Sequence, residues 1–150
     1  MNQALGIESD AMREVRELLQ SSRSLFETVL KRSLNRTQTT GTCLYASVMT
    51  SLVLNRFTEA VVSIRGGDGE DDGGIFVDGI GRGHYWMEAE IDGVLYVLDI
   101  TADQFCLPPI TIERLDVIHD RYRPGCQETV DEHVADILKD IQSEQSTHLG

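Results

Sequence analysis

GHYWMEAEIDGVLYVLDITADQF, residues 83–105, is the stretch from which the rest of the fold can be read. Asp92-Gly93 stands between two runs rich in β-branched and aromatic residues, a strong local signal for a hairpin closed by a two-residue turn. Such a turn sets the register: Ile91 opposes Val94, Glu88 opposes Val97, Trp86 opposes Asp99 and His84 opposes Thr101. Side chains alternate along a strand, so the pairing also sorts them by face. Tyr85, Met87, Ala89, Ile91, Val94, Tyr96, Leu98 and Ile100 make one almost wholly apolar face, which should pack on a core. The other face carries His84, Trp86, Glu88 and Glu90 with Leu95, Val97, Asp99 and Thr101. There His84 and Asp99 are diagonal neighbours, with Cα atoms about 7–8 Å apart. A carboxylate so placed can accept a hydrogen bond from an imidazole N–H, orienting the ring and stabilising its protonated form.

Working outward, residues 10–34 read as one helix or two, with Met12, Val15, Leu18, Leu19, Leu25, Phe26, Val29 and Leu30 at the helical period and a polar group at 21–24 marking a break. Ser9 or Asp10 suits its N-cap. Residues 35–42, NRTQTTGT, are turn-like. Cys43 then opens a second helix, CLYASVMTSLVLNRF, whose stripe of Leu44, Val48, Leu52 and Phe57, widened by Tyr45, Met49 and Val53, predicts a central helix. Thr42 is its candidate N-cap. Residues 60–65 and 75–78 read as strands, 66–74 (GGDGEDDGG) as a flexible acidic loop, and 79–83 (GIGRG) as a glycine-rich approach to the hairpin. Residues 110–118 are a weaker strand, and 128–142 a helix followed by a frayed tail. The order of helices, strands and a last helix lacks regular βαβ alternation. It predicts an α+β fold, a central helix packed on an antiparallel sheet of about four or five strands. The whole of residues 1–150 is expected to be a single domain, with its core at 41–105.

The chain has a formal net charge of −12 and 41% hydrophobic residues. Such acidity repels a phosphate backbone, so no nucleic-acid partner is expected. Three cysteines without a CxxC pair indicate neither a disulfide framework nor a zinc finger, and point to a reducing compartment. No apolar run approaches the roughly 18 residues of a membrane span. MNQALGIESD lacks the pattern of a signal peptide. A cytoplasmic protein without a membrane partner is the expectation, one compatible with delivery by a specialised secretion system. Asp68, Glu70 and Asp72 mimic the start of an EF-hand loop, but its twelfth position falls on Gly79 where glutamate is needed. Gly79, Gly81 and Gly83 precede a strand and not a helix, so they are no dinucleotide fingerprint; they instead leave room for a substrate backbone near His84. Cys106, His119, Cys126 and His133 lack paired ligand spacing. Neither metal nor cofactor is expected.

A cysteine becomes a competent nucleophile when a helix N-terminus or an imidazolium stabilises its thiolate. Cys43 is placed for the first, and His84, oriented by Asp99, can supply the second if the fold brings them together. Read singly, Cys43 is a small buried residue and His84–Asp99 a satisfied polar pair; read jointly, they form a Cys-His-Asp triad.

With these residues in place, GTCLYASVMTSLV, AVVSIRGG and GHYWMEAEIDGVLYVLDIT together resemble the transglutaminase-like branch of papain-like thiol enzymes, over about residues 41–105. The resemblance matches Cys43 to the nucleophile, His84 to the general base and acid, and Asp99 to the orienting group. His84, Trp86 and Glu88 fit an H-x-W-x-E strand, and Asp99 and Thr101 fit D-x-T. Ile100 departs from the proline that many relatives carry next to the aspartate. The resemblance implies an amide hydrolase or acyl transferase working through an acyl-enzyme: a peptidase, amidase, protein-glutamine deamidase or transglutaminase-like enzyme with a protein or peptide substrate. The oxyanion would be held by the backbone N–H of Cys43 with a side-chain donor. Gln38, upstream as in papain-like proteases, and Gln104 are the candidates. Trp86 would either shield the His84–Asp99 bond from water or simply pack the core. The competing class is a non-catalytic protein-binding module that keeps the fold.

Overall fold

The computed structural model describes residues 8–33 and 42–149, with the side chains of 143–149 left aside. Helix α1 spans Asp10–Ser33 without interruption. Ser9 caps it, its Oγ accepting from the Met12 N–H at 3.1 Å. The expected break at 21–24 is absent because Arg23 in that polar group turns inward. Its guanidinium donates to the Ile100 carbonyl at 2.6 Å and to both oxygens of Asp103 at 2.8 Å. Val15, Leu19, Phe26 and Leu30 bury the same side of the helix.

Helix α2 spans Cys43–Phe57 and is central as expected, but the face it buries differs from the stripe of large side chains. Cys43, Ala46, Ser47, Val48, Thr50, Ser51 and Leu54 are inside. Leu52 and Phe57 are 44% and 64% exposed. Small residues win because they let the helix axis approach its neighbours closely. The Ser51 hydroxyl is satisfied within the helix, donating to the Val48 carbonyl at 2.8 Å.

Strands β1 (Val61–Gly67), β4 (His84–Ile91), β5 (Val94–Asp99) and β6 (Thr111–Arg114) form an antiparallel sheet in the order β1-β4-β5-β6. The hairpin turn has positive φ at both Asp92 (54°) and Gly93 (78°), the conformation that matches the twist of two antiparallel strands. Ile91 pairs with Val94 and Glu88 with Val97, as the turn dictates. The ladder stops at Met87–Leu98, so the expected pairs Trp86–Asp99 and His84–Thr101 do not form. After Asp99 the chain turns into a 3-10 helix, Ala102–Phe105, and the start of β4 pairs instead with β1, Gly67 opposite His84. Met87, Ala89, Ile91, Leu98 and Ile100 join the α1 and α2 side chains in one core. On the other edge of β1, the Ile64 carbonyl accepts from the Gln127 side-chain amide at 2.9 Å and the Gly66 carbonyl from the Gly125 N–H at 2.7 Å.

A second sheet corrects the expectation of a single one. Strands β2 (Gly74–Val77), β3 (Ile80–Arg82) and β7 (Tyr122–Arg123) lie in the order β3-β2-β7. They belong to a second core, in which Ile75 and Tyr122 meet Trp86 and Val97 from the opposite face of the hairpin. Residues 79–83, expected as an open approach to His84, therefore hold the β2–β3 turn and β3 itself. A Cβ on Gly81 would lie 2.3 Å from the Gly69 carbonyl oxygen, so this glycine serves packing of the preceding loop. That loop is folded, not free. Asp68 Oδ1 accepts from the N–H groups of Glu70 and Asp72 at 2.8 and 3.1 Å, and Asp72 Oδ1 accepts from the Cys126 N–H at 2.8 Å. Residues 110–118 divide into β6 and a short helix α3 (Leu115–Ile118). Helix α4 runs Gln127–Leu149, past the expected end at 142, because no glycine or proline stops it before Gly150.

Arg23 joins α1 to the segment after β5, and its removal leaves the buried Ile100 carbonyl without that donor. Arg23→Ala should lower stability by about 2–4 kcal/mol, read as a drop in the urea midpoint at unchanged slope. Leu25→Ala, at an exposed position of the same helix, should leave the midpoint nearly unmoved.

Candidate active site

Antiparallel pairing puts the first residue of β4 and the last residue of β5 at the same end of the sheet. His84 begins β4 and Asp99 ends β5. Each is 1% exposed. The imidazole Nε2 lies 2.7 Å from Asp99 Oδ2. The other ring nitrogen, Nδ1, is buried and has no hydrogen-bond partner among the described residues. Cys43 also bears on the ring. It opens α2, is 9% exposed, and favours the protonated form of the imidazole. Its place in the first turn gives it the positive end of the helix, where backbone N–H groups lack intrahelical acceptors. Thr42 occupies the N-cap position but makes no side-chain cap.

Burial works against a charged imidazole here. The carboxylate of Asp99 and then the sulfur of Cys43 outweigh it, and the His84 pKa is raised from 6.5 to about 9. Asp99 is in turn held by several donors. The Thr101 N–H and hydroxyl reach Oδ1 at 2.9 and 3.3 Å, and the Tyr122 hydroxyl donates to Oδ2 at 2.8 Å. Tyr122, 1% exposed, is the residue that reading the hairpin missed. It arrives from β7 in the second sheet, through a two-residue strand too short to show periodicity. An aromatic beside turn residues in RYRPG was its only trace.

Trp86 is completely buried in the second core and lies beside His84, ring centroids 6.1 Å apart and planes 24° from parallel. Phe105 meets the same imidazole edge-on at 4.8 Å. Packing and exclusion of water from the His84–Asp99 bond are thus one arrangement. Glu88 is buried against Arg65, 3.2 Å away, and Arg65 also donates to Gln127 at 2.6 Å. Gln104, a candidate oxyanion donor, has its amide on the Thr101 carbonyl at 3.0 Å. Gln38 lies outside the described residues. Near the thiol, the hydroxyl of Tyr85 pairs with Nδ1 of His133 from α4. Burial, and then the charge at Cys43, raise the Tyr85 pKa.

The three cysteines are free, and Cys106 and Cys126 are exposed. Among the described residues no group of three or more His, Cys, Asp or Glu side chains is arranged to hold a metal ion. No helix among them is long and apolar enough to cross a membrane. Comparison with family models, curated proteins and solved structures returned no match.

The raised pKa of His84 ties stability to pH. A histidine whose pKa is higher folded than unfolded stabilises the fold fully below its unfolded value, and that contribution fades as pH rises through the folded value. The urea midpoint should therefore fall between pH 6.5 and about 9. His84→Ala should flatten this slope, whatever its own stability; an equal slope in both proteins would contradict the assignment.

Proposed function

We propose that the chain is a cysteine-dependent amide hydrolase or acyl transferase using Cys43, His84 and Asp99. The observation that carries this reading is the state of one imidazole: Nε2 is fixed on Asp99 at 2.7 Å, Nδ1 is buried without a hydrogen-bond partner among the described residues, and Cys43 at the start of α2 favours the protonated ring. A proton passing from Cys43 to His84 gives a thiolate–imidazolium pair stabilised by Asp99 and by the helix N-terminus. The thiolate attacks the amide carbonyl carbon, and the carbonyl π pair moves onto oxygen. The Cys43 backbone N–H is the candidate donor to that oxyanion. As the tetrahedral intermediate collapses, the C–N bond breaks and His84 passes its proton to the departing amine. Water or another amine, deprotonated by His84, then attacks the thioester carbonyl; the C–S bond breaks, the product acid or amide leaves, and His84 returns its proton to Cys43. The resemblance to transglutaminase-like enzymes supports this scheme through the same three residues.

A protein glutamine side chain or a peptide bond is the preferred substrate over an acyl-CoA. The net charge of −12 opposes a polyanionic donor and favours a basic polypeptide surface. A second reading, a binding module that keeps the fold without turnover, draws on the low exposure of Cys43, 9%.

Alkylation separates the two. Cys126 must first be removed, because hydrogen bonding by the Thr129 side chain and backbone lowers its pKa and would obscure Cys43. In a Cys106→Ser/Cys126→Ser background, iodoacetamide should label Cys43 at pH 7 at least tenfold faster after allowance for exposure than a thiol of ordinary pKa, since such a thiol is only about 3% ionised there. His84→Ala should remove the advantage. Slow labelling that ignores His84 favours the binding module. In basic protein extracts treated with the enzyme, mass spectrometry should find glutamine-to-glutamate conversion, new peptide termini or new amide cross-links. None should appear with Cys43→Ala.

A further inference from the structure

We infer that Tyr122 is a positioning residue for the triad: it holds Asp99 in place and tempers the pull of that carboxylate on His84. The inference rests on the proposed thiol chemistry and extends it to a residue outside the hairpin. Tyr122 and His84 converge on the same oxygen, Asp99 Oδ2, at 2.8 and 2.7 Å, while Thr101 occupies Oδ1. A carboxylate oxygen shared between two donors gives less to each than it would to one alone. The tyrosine thus weakens the imidazolium–carboxylate attraction without leaving Asp99 unsatisfied.

That balance matters for the proposed reaction, because His84 must both take a proton from Cys43 and release it to the leaving amine. An imidazolium paired too strongly with Asp99 is a poor acid toward the amine. Tyr122 is built for the donor role alone. Burial and then the neighbouring Asp99 charge raise its own pKa beyond the ordinary range, so the hydroxyl keeps its proton at any working pH. Its ring is fixed against Trp86, centroids 5.2 Å apart at 69°. Further groups also bear on this cluster. Cys43 acts from α2, the Thr111 hydroxyl from β6 and Arg121 from the residue before Tyr122. Arg23 and Asp103 pair behind the Ile100 carbonyl.

The test is the titration of the His84 ring, followed by NMR in protein carrying labelled histidine, with His84→Ala identifying the signal. Tyr122→Phe keeps the ring and removes only the hydroxyl. The midpoint for His84 should rise by about half a pH unit to one unit, the worth of one hydrogen bond to a charged acceptor shared across the pair. Should the phenylalanine variant fail to fold, 3-fluorotyrosine at position 122, a stronger phenolic donor of nearly the same shape, should move the midpoint in the opposite direction. A folded Tyr122→Phe protein with the wild-type midpoint overturns the inference, as does a fluorotyrosine protein with no downward movement. Alkylation of Cys43 in the same samples keeps the two ideas apart. His84-dependent labelling with an unmoved midpoint removes the role of Tyr122 and leaves the thiol chemistry standing. A moved midpoint with His84-independent labelling supports the coupling of Tyr122 to His84 and removes the thiol chemistry.

Discussion

A carboxylate taken fully out of water must be surrounded by donors, and most of this structure can be understood as the means of surrounding Asp99. An ionised group without partners in a protein interior costs several kcal/mol, enough to consume much of the stability of a chain this size. Its donors come from three separate places: the first residue of β4, the turn just after β5, and a short strand that follows α3. No single element supplies them, so the polar cluster forms only when both sheets have closed on the hairpin. This explains why the second sheet is present although its strands are short. It supplies Tyr122, and it seals the face of the hairpin that carries His84, Trp86 and Asp99.

What was readable in the residues followed from strict periods. Two-residue alternation between Tyr85 and Ile100 identifies the face of the hairpin that packs on α1 and α2, and Asp92-Gly93 sets its register where the ladder is continuous. The spacing of Met12, Val15, Leu19 and Leu30 located α1. The His84–Asp99 pair follows from the same logic, since antiparallel pairing forces the two residues to one end. The failures share a different cause. Strands of two to four residues, such as β7 and β3, carry no period, and their pairing is decided by glycines that permit close backbone approach. The buried face of α2 does not follow apolar size, because Ala46, Ser47, Thr50 and Ser51 are inside for being small. Arg23 is hidden in a polar run because its role depends on a carbonyl 77 positions away.

Arg23 and Tyr122 show one design used twice. In each case a polar side chain reaches inward from an element remote in sequence and fastens the segment just after β5, through Ile100 and Asp103 on one side and Asp99 on the other. The segment between is irregular, and a short 3-10 helix would hold it weakly by itself. Position of Asp99 is therefore determined from both faces of the main sheet.

The two hydrogen bonds on the outer side of β1 bear on how this molecule meets other chains. An exposed edge strand is an invitation to strand addition, by an unfolded neighbour or by an extended ligand. Here the Ile64 and Gly66 carbonyls, next to the end of β1 that pairs with His84, are already taken by Gln127 and Gly125. A polypeptide cannot use them to prolong the sheet without first detaching the beginning of α4. Recognition on that flank must then depend on side-chain shape and charge, and the same closure blocks edge-to-edge pairing along this part of β1.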